Sequence, residues 1–224
     1  MVKYVSVSEM IAIEKEADAA GHTYSRMMAF AGRSLAEEIL NAYSHKSIRN
    51  VLGLVGPGNN GGDALVAMTK LLELGWRSSA YLLKERSNDP LVNAFEVAGG
   101  KIYLMSEDNE VVVLQELIME HDVLVDGILG TGIKLPLRDP VPNVLNIVNT
   151  ILDECEIRPL VVAVDCPSGV DCDAGEAAKE CIPADLTVCM AAVKQGLLKL
   201  PAFGLLGELV IGDIGLPENL ATLK

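Results

Sequence analysis

Four side chains with oxygen donors stand where apolar runs of the sequence end, and their chemistry is that of a hard cation site or an acid–base pair. Asp126 and Asp165 each close an apolar run, Asn60 follows a third, and Ser168 stands three residues after Asp165. Carboxylate, amide and hydroxyl oxygens suit an alkali or alkaline-earth cation rather than zinc or copper. One carboxylate beside such a cation and another that exchanges protons would make a workable acid–base arrangement. For either aspartate alone, the plainer interpretation is a carboxylate that caps the next turn.

The stretch V-G-P-G-N-N-G-G-D at 55–63 is the most unusual loop of the chain. Its glycines fit the G-x-G-x-x-G pattern of dinucleotide-binding loops at 56–61. Asp63 argues against that interpretation, because it would cap the next helix well but would repel a pyrophosphate there. Glu85 matches the expected ribose-binding acid only loosely, and the absence of Gly-Lys-Ser/Thr excludes a P-loop. A tight turn whose glycines only permit positive φ is the alternative, but adjacent asparagines are more polar than such a turn requires.

Two further features could bind phosphate. Gly130, Thr131 and Gly132 follow the run that ends at Asp126, and their backbone N–H groups are available to an anion. Lys194 follows a later apolar run and could reach a ligand phosphate, although a solvated surface lysine is an equally good interpretation. The glycine-rich segment at 130–132 therefore predicts an anion site, whereas both interpretations of Lys194 stay open.

Histidine and cysteine chemistry is not expected at these loops. The three histidines, at positions 22, 45 and 121, all fall outside them, so neither a histidine base nor a Ser-His-Asp arrangement has support. The five cysteines form no C-x-x-C pair. We therefore expect reduced thiols that are buried or inert, and no zinc site.

The bulk composition limits the class of protein. With 224 residues, half of them hydrophobic and 22% charged, the chain predicts one domain over 1–224 with a large core. The net charge of −13 provides no basic face for a nucleic acid. No apolar run approaches the roughly 18–20 residues of a membrane span, and the first ten residues are not typical of a signal peptide. We therefore expect no nucleic-acid or membrane partner and a cytoplasmic location.

Short apolar runs alternate with segments of helical periodicity. Strands are predicted at 50–55, 78–83, 102–105, 123–126, 160–165, 186–190 and 208–211. Helices are predicted at 8–20, 25–44, 63–74, 90–98, 111–120 and 141–152, with Ser8 capping the first and Gly21 ending it. This alternation is typical of an α/β fold with a parallel, doubly wound sheet, here preceded by an N-terminal helical extension. Ligands of such sheets bind at the carboxyl ends of the strands, where the strand order reverses, so the three unusual loops should converge.

Five motifs occur in order along the chain, and together they indicate a family. They are G-P-G-N-N-G-G-D at 56–63, V-D-G-I-L-G-T-G-I at 125–133, A-V-D-C-P-S-G-V-D at 163–171, A-D-L-T-V at 184–188 and G-D-I-G-L-P at 212–217. This set resembles the NAD(P)H-hydrate epimerase family, also called the YjeF N-terminal domain. The resemblance implies a Rossmann-like three-layer αβα sandwich with a mostly parallel sheet. It also implies interconversion of the R and S forms of NADHX and NADPHX, the hydrates of damaged nicotinamide cofactors, with a potassium ion in the site.

The resemblance also implies roles for individual residues. Asp165 is expected at the reacting centre, and our hypothesis is that it exchanges the proton as general acid and base. Asn60, Asp126 and Ser168 are the implied potassium ligands. The implied substrate contacts, in addition to Asp165, are Asn59, Asn60, Gly61, Gly62, Asp63, Gly130, Thr131, Gly132, Ile133, Lys134, Leu135 and Pro136.

Three positions depart from the family pattern. Ala64 stands where the family usually has glycine and could narrow the approach to the loop. The segment M-M-A-F-A-G at 27–32 replaces a motif like L-M-E-N-A-G, which puts any contact from Ala29 or Phe30 in question. Cys166 replaces an aliphatic residue, and we expect it to pack rather than to act as a nucleophile.

Two other functions remain as alternatives to epimerisation. One is a non-catalytic nucleotide-binding or protein-interaction member of the same fold. The other, an NAD-dependent dehydrogenase, is disfavoured by Asp63 and by the lack of a recognisable proton donor. Because the dehydratase domain often fused to this family is not seen in the chain, a separate NAD(P)HX dehydratase is the expected pathway partner. Analogy with the family also suggests a homodimer, with the N-terminal helices as plausible interface elements.

Overall fold

Strands and helices alternate along most of the chain in the computed structural model, which describes residues 4–43, 49–217 and 220. The strands are β1 (Tyr4–Val5), β2 (Asn50–Val55), β3 (Arg77–Leu82), β4 (Lys101–Leu104), β5 (Val123–Gly127), β6 (Leu160–Val164), β7 (Leu186–Met190), β8 (Val193–Lys194) and β9 (Glu208–Gly212). The α-helices are α1 (Val7–Ala19), α2 (Tyr24–Tyr43), α3 (Asn59–Glu73), α4 (Pro90–Val97), α5 (Val112–Glu120) and α6 (Val141–Glu154).

Seven of these strands form one parallel sheet in the order β4-β3-β2-β5-β6-β7-β9. Strands β3 and β4 follow β2 on one side of it, and the next strand, β5, pairs with β2 on its other side. The strand order therefore reverses between β2 and β5, which is where ligands bind in sheets of this kind. The predicted α/β fold with a mostly parallel sheet is confirmed.

Helices cover both faces of the sheet, and this explains the near-continuous apolar strands. Val51 and Val55 of β2 belong to a core cluster that includes residues of α2 and α3. Leu52 and Leu54 of the same strand belong to a second cluster with α5 and α6. The alternation of side chains along β2 thus fills two cores at once, and the sheet is fixed from both sides beneath its ligand-binding edge.

Two helix starts differ from the sequence-based expectation. Helix α1 is capped by Ser6 rather than Ser8, because Ser6 and Glu9 form a reciprocal capping box. Helix α3 begins at Asn59 with Gly58 as its N-cap, so Asp63 lies inside the helix and does not cap it. The N-N-G-G-D motif is therefore the first turn of a helix and not a loop. The predicted end of the second helix at Ser44 lies outside the described residues.

A small second sheet was not predicted. Strand β1 pairs in parallel with β8, with Tyr4 opposite Val193 and Val5 opposite Lys194. Two-residue strands are too short to give a periodic signal in the sequence. Their pairing places Val5 beside Lys194, so the segment before α1 helps to hold the residues around the site in place. Within the described residues, no helix combines the length and apolar character required to cross a membrane.

Candidate active site

A cavity of about 810 Å³ opens at the carboxyl ends of the central strands. Its walls include the start of α3, the loop after β5 and the residue that follows β6. Helices α1 and α2 close the remaining side through Ile11, Glu14 and Met27, among others. This volume falls in the range of small-molecule and cofactor sites. The expected convergence of the three unusual loops is confirmed.

Most of the implied substrate contacts line this cavity. These are Asn59, Asn60, Asp63, Gly130, Thr131, Gly132, Ile133, Lys134 and Asp165. Gly61 and Gly62 lie buried within α3, and neither they nor Leu135 and Pro136 are part of the cavity wall.

The glycines of the first motif allow close packing rather than an unusual backbone conformation. Gly56, Gly58 and Gly61 all lack positive φ, so the positive-φ turn interpretation is wrong. A Cβ atom on Gly56 would collide with the backbone carbonyl of Ile128, and one on Gly61 would collide with the carbonyl oxygen of Gly56. The start of α3 is therefore pressed against the ends of β2 and β5, which places its polar first turn on the cavity.

The side-chain amide of Asn60 joins the three loops. Its Nδ2 donates to the carbonyl oxygen of Leu129 at 3.0 Å and to that of Val164 at 2.5 Å. Leu129 follows β5 and Val164 ends β6, whereas Asn60 belongs to α3. One side chain thus fixes the relative positions of the three segments that form the site.

Behind the cavity wall, Asp126 and Ser168 form a buried polar pair. Both are fully buried, and Ser168 donates to Asp126 through its hydroxyl at 2.6 Å and its backbone N–H at 2.8 Å. The hydroxyl oxygen of Ser168 also accepts from the N–H of Leu129 at 2.9 Å. Burial raises the pKa of Asp126, although the Ser168 and Ile128 donors oppose that shift.

These oxygen donors fit a potassium ion. Asp126 forms no ion pair within the described part of the chain, so a buried carboxylate there has only neutral partners. Asn60 and Ser168 approach the same segment, since both contact the backbone of Leu129. A hard monovalent cation would supply the missing counter-charge, and oxygen ligands are the ones it prefers.

Asp165 occupies a strained position at the end of β6. Its φ of 66° lies in the left-handed region, which aspartate tolerates better than most residues. Its Oδ1 accepts from the N–H of Met190 at 2.9 Å and from the ammonium group of Lys194. Strain of this kind is often found at functional sites, and here it turns the carboxyl group towards β7 and β8 at the edge of the cavity.

Lys194 is neither a surface lysine nor a cavity-lining phosphate ligand. Its side chain is 1% exposed and forms an ion pair with Asp165, and its Nζ also donates to the Met190 carbonyl at 2.9 Å. Burial alone would lower the pKa of Lys194, but its interactions with neighbouring groups, of which the Asp165 carboxylate is the strongest, together raise it. Both earlier interpretations of Lys194 are wrong. The apolar residues around it in A-A-V-K-Q-G-L-L were the available signal for burial.

Two more carboxyl groups share the cavity with Asp165. Asp63 is 8% exposed, and Glu14 is half-buried on α1. Burial raises the pKa of Asp63 well above its usual value, with Asp165 and Glu14 adding to the shift and Lys194 opposing it. Burial also raises the pKa of Glu14. The sequence analysis did not identify Glu14, because no motif surrounds it and only the fold brings α1 to the site.

Three side chains that depart from the family pattern, Ala64, Ala29 and Phe30, are not part of the cavity wall, although Met27, Met28 and Ala31 of the 27–32 segment are. Ala64 is fully buried against Gly127 and is not part of the cavity wall, so it does not narrow the approach. Phe30 packs against the ring of His22 and the guanidinium group of Arg33, and it is not part of the cavity wall. Ala29 lines a separate small pocket on the outside of α2 and α3.

None of the cysteines and neither of the described histidines is part of the cavity wall. Cys166 is buried in a cluster with three other cysteines. Burial raises the pKa of Cys189 to about 12, and the thiol of Cys189 donates to Oδ1 of Asp165 at 3.8 Å. Neither His22 nor His121 is part of the cavity wall, and their rings bond to the backbone carbonyls of Ile214 and Leu117, whereas position 45 lies outside the described residues. Glu85, which was considered as a ribose ligand, accepts a hydrogen bond from the Ser87 hydroxyl and is not part of the cavity wall.

The fold and the cavity define a doubly wound α/β protein with an acid-lined pocket at its topological switch point. A family model described as "YjeF-related protein N-terminus" matches residues 24–196 of the chain. An NAD(P)H-hydrate epimerase of Cenarchaeum symbiosum is 32% identical over 219 residues, which cover 96% of both chains. One from Nitrosopumilus maritimus is 31% identical with the same coverage. The chain therefore belongs to the family of the YjeF-related protein N-terminus.

Longer relatives and a solved structure agree with this membership. A bifunctional NAD(P)H-hydrate repair enzyme of Moorella thermoacetica is 33% identical over 204 residues, and the chain covers 37% of its length. The chain spans about two fifths of the length of the bifunctional relatives that it matches. The crystal structure of the yeast protein ynu0 superposes with a TM-score of 0.77 at 23% identity, covering 94% of this chain and 87% of that one. This structure supports the fold.

Proposed function

We propose that the protein is an NAD(P)H-hydrate epimerase, an isomerase that interconverts the R and S forms of NADHX and NADPHX in the repair of damaged cofactors. The observation that carries the proposal is the strained, ion-paired Asp165 at the edge of a dinucleotide-sized cavity. Relatives that this chain matches over 96% of both lengths are named for this activity.

Epimerisation at C6 of the hydrated ring requires that the hydroxyl group leave and that water return to the other face. Departure of the hydroxyl from a carbon beside the ring nitrogen gives an iminium-like cation. The Asp165 carboxylate can stabilise this cation electrostatically, because the surrounding structure fixes its position before the reaction begins. It can also accept a proton from the entering water, which is the base half of the role expected for it. Lys194 orients the carboxylate through Oδ1 and leaves Oδ2 for the ring.

The rest of the cavity binds the dinucleotide. Backbone N–H groups at Gly130 to Gly132 and the cation of Lys134 suit the pyrophosphate at the cavity mouth. Asn59 and Asn60 provide polar contacts from the first turn of α3. Potassium, held by Asn60, Asp126 and Ser168, would neutralise the buried carboxylate and stabilise the two loops next to the substrate.

The alternatives receive less support. A non-catalytic member was suggested by the altered 27–32 segment, but Ala29 and Phe30 lie outside the cavity wall, and Asp165 bonds to Met190 and Lys194. A dehydrogenase is disfavoured because Asp63 lies on the wall beside the first glycine motif. We further propose a cytoplasmic protein that acts as a homodimer together with an NAD(P)HX dehydratase activity. The bifunctional relatives support this pairing of activities.

A coupled assay tests the function. An R and S mixture of NADHX is incubated with an S-specific dehydratase, with and without this protein. We expect the S form to be consumed in both reactions and the R form to be consumed only when this protein is present. If the R form persists at the same level in both reactions, the protein is not an epimerase for this substrate. The same assay with NADPHX measures which substrate is preferred.

A further inference from the structure

While it is ion-paired with Lys194 as a carboxylate, Asp165 has no proton to give to the departing hydroxyl group. Its carboxyl group is the anionic partner of an almost fully buried lysine, and it also accepts from the N–H of Met190. The carboxylate of such a pair stabilises cations and accepts protons. A second group in the cavity is required to donate.

Asp63 has the properties of that donor. It lies on the cavity wall, it is 8% exposed, and its carboxyl group has no hydrogen-bond partner within the described residues. Burial, and then the negative charges of Asp165 and Glu14, raise its pKa well above the usual value. Among the described groups that act on Asp63, only the Lys194 cation opposes this rise in its pKa. A carboxylic acid kept neutral beside an ionised one is the arrangement that separates acid and base roles at an active site.

Glu14 completes the arrangement from the N-terminal extension. It lies on α1 and faces the same cavity, where its charge acts on Asp63. Glu14 itself is half-buried, and its own pKa is raised by burial and by Asp165. Three carboxyl groups, from α1, α3 and the end of β6, therefore line one cavity, and Lys194 of β8 is ion-paired with one of them, Asp165.

We propose that Asp63 is the proton donor of epimerisation and that Glu14 is a positioning residue that keeps Asp63 protonated. The proposal rests on the proposed function. Asp63 gives its proton to the C6 hydroxyl oxygen, the C–O bond breaks and its electron pair leaves with water. The lone pair of the ring nitrogen forms the C=N bond of the cation. Water then adds to the other face of C6 and gives a proton to Asp165. Exchange with solvent returns both carboxyl groups to their starting forms, and the opposite direction uses the same steps in reverse.

The test compares Asp63→Asn and Glu14→Gln with the parent protein between pH 5 and 9. The interconversion of the R and S forms of NADHX is measured directly, without the dehydratase. Asp63→Asn should lower kcat by about 100-fold or more, the usual contribution of a general acid, while calorimetric binding of NADP⁺ changes by less than about threefold. Glu14→Gln removes a negative charge beside Asp63. It should keep most of kcat at pH 6, and the alkaline limb of its pH profile should move to lower pH. A merely structural role for Glu14 would leave that limb in place.

Matched controls come from exposed acids on other helices. Asp153→Asn on α6 and Glu37→Gln on α2 should leave the rate and the pH profile unchanged. If the parent protein does not interconvert the epimers, the proposed function fails. If it does, and Asp63→Asn keeps more than about a tenth of kcat or the Glu14→Gln limb does not move, the donor assignment alone is wrong. Should circular dichroism show that Asp63→Asn is unfolded, the Glu14→Gln profile decides.

Discussion

The ammonium group of Lys194 and the carboxylate of Asp165 form a buried ion pair, with side-chain exposures of 1% and 11%. The two residues are 29 positions apart, and the pairing of β8 with β1 holds the lysine in place. A buried charge without a partner destabilises the folded state. Lys194 and Asp165 are therefore compatible with the fold only as a pair. The reacting centre thus depends on the N-terminal strand as well as on the three ligand-binding loops.

Removing the lysine should destabilise the fold and stop the reaction. Lys194→Met leaves the Asp165 carboxylate without its counter-charge, which should lower the free energy of unfolding by about 3 kcal/mol. Urea denaturation measures this loss, and the double variant Lys194→Met/Asp165→Asn should recover part of it because no buried charge remains. Lys179→Met, at an exposed ion pair, should change stability by less than about 0.5 kcal/mol. Equal effects at positions 194 and 179 would contradict the importance of the buried pair.

Potassium should stabilise the protein through Asp126. At a potassium concentration of about one hundred times Kd, binding adds about 2.7 kcal/mol to the free energy of unfolding. Thermal unfolding in potassium chloride and in N-methylglucamine chloride at equal ionic strength separates binding from charge screening. We expect a higher Tm in potassium for the parent protein and for Asp153→Asn, and no difference for Asp126→Asn. The same Tm in both salts for the parent protein would show that this site does not bind potassium.

Stability should depend on pH through Asp63. Its pKa is raised well above 3.8 in the folded protein, so between these two values the folded chain holds a proton that the unfolded chain releases. The free energy of unfolding therefore falls as the pH rises through this window. Asp63→Asn removes this effect and should be more stable than the parent protein at pH 8, with the difference disappearing towards pH 4. Urea denaturation at pH 4, 6 and 8 measures it. A variant that is less stable than the parent protein at pH 8 would contradict the prediction.

The glycines of the first motif offer a matched test of close packing. A Cβ atom on Gly61 would collide with the Gly56 carbonyl oxygen, whereas one on Gly58 would meet nothing within 4 Å. Gly61→Ala should therefore cost about 1–3 kcal/mol of stability, and Gly58→Ala at most about 1 kcal/mol, since it changes only a helix cap. Chemical denaturation of the two variants measures both costs. Similar values would mean that α3 can move away from β2 without loss.

Local sequence pattern predicted the sheet and its ligand-binding edge well. Strands β2 and β7 begin and end where their apolar runs do, because buried parallel strands need continuous apolar residues. The start of α3 was missed for a physical reason. Gly61 and Gly62 are poor helix formers. Gly61 occurs in the first turns because the backbone of Gly56, just after β2, comes too close for a side chain, and Gly62 is packed against Met28 and Leu91. Local propensity indicated a loop, whereas tertiary packing required a helix.

The chemistry of the site could be predicted only where a motif carries it. Asp165 and Ser168 belong to one motif, and their positions at the end of β6 follow from it. Glu14 and Lys194 belong to no motif, and their place beside Asp165 depends on the packing of α1 and on the pairing of β1 with β8. Contacts between such distant segments have no signature in a single sequence.

The fate of the hydroxyl oxygen tests the central claim most directly. Epimerisation by departure and return of water at C6 replaces that oxygen with one from the solvent. NADHX is incubated in H₂¹⁸O with the parent protein, with Asp165→Asn and without protein, and both epimers are analysed by mass spectrometry. We expect each interconversion catalysed by the parent protein to introduce one ¹⁸O atom. The amount of ¹⁸O introduced with the Asp165→Asn variant should be close to that of the reaction without protein. Interconversion without ¹⁸O, or undiminished labelling by a folded Asp165→Asn variant, would contradict the account.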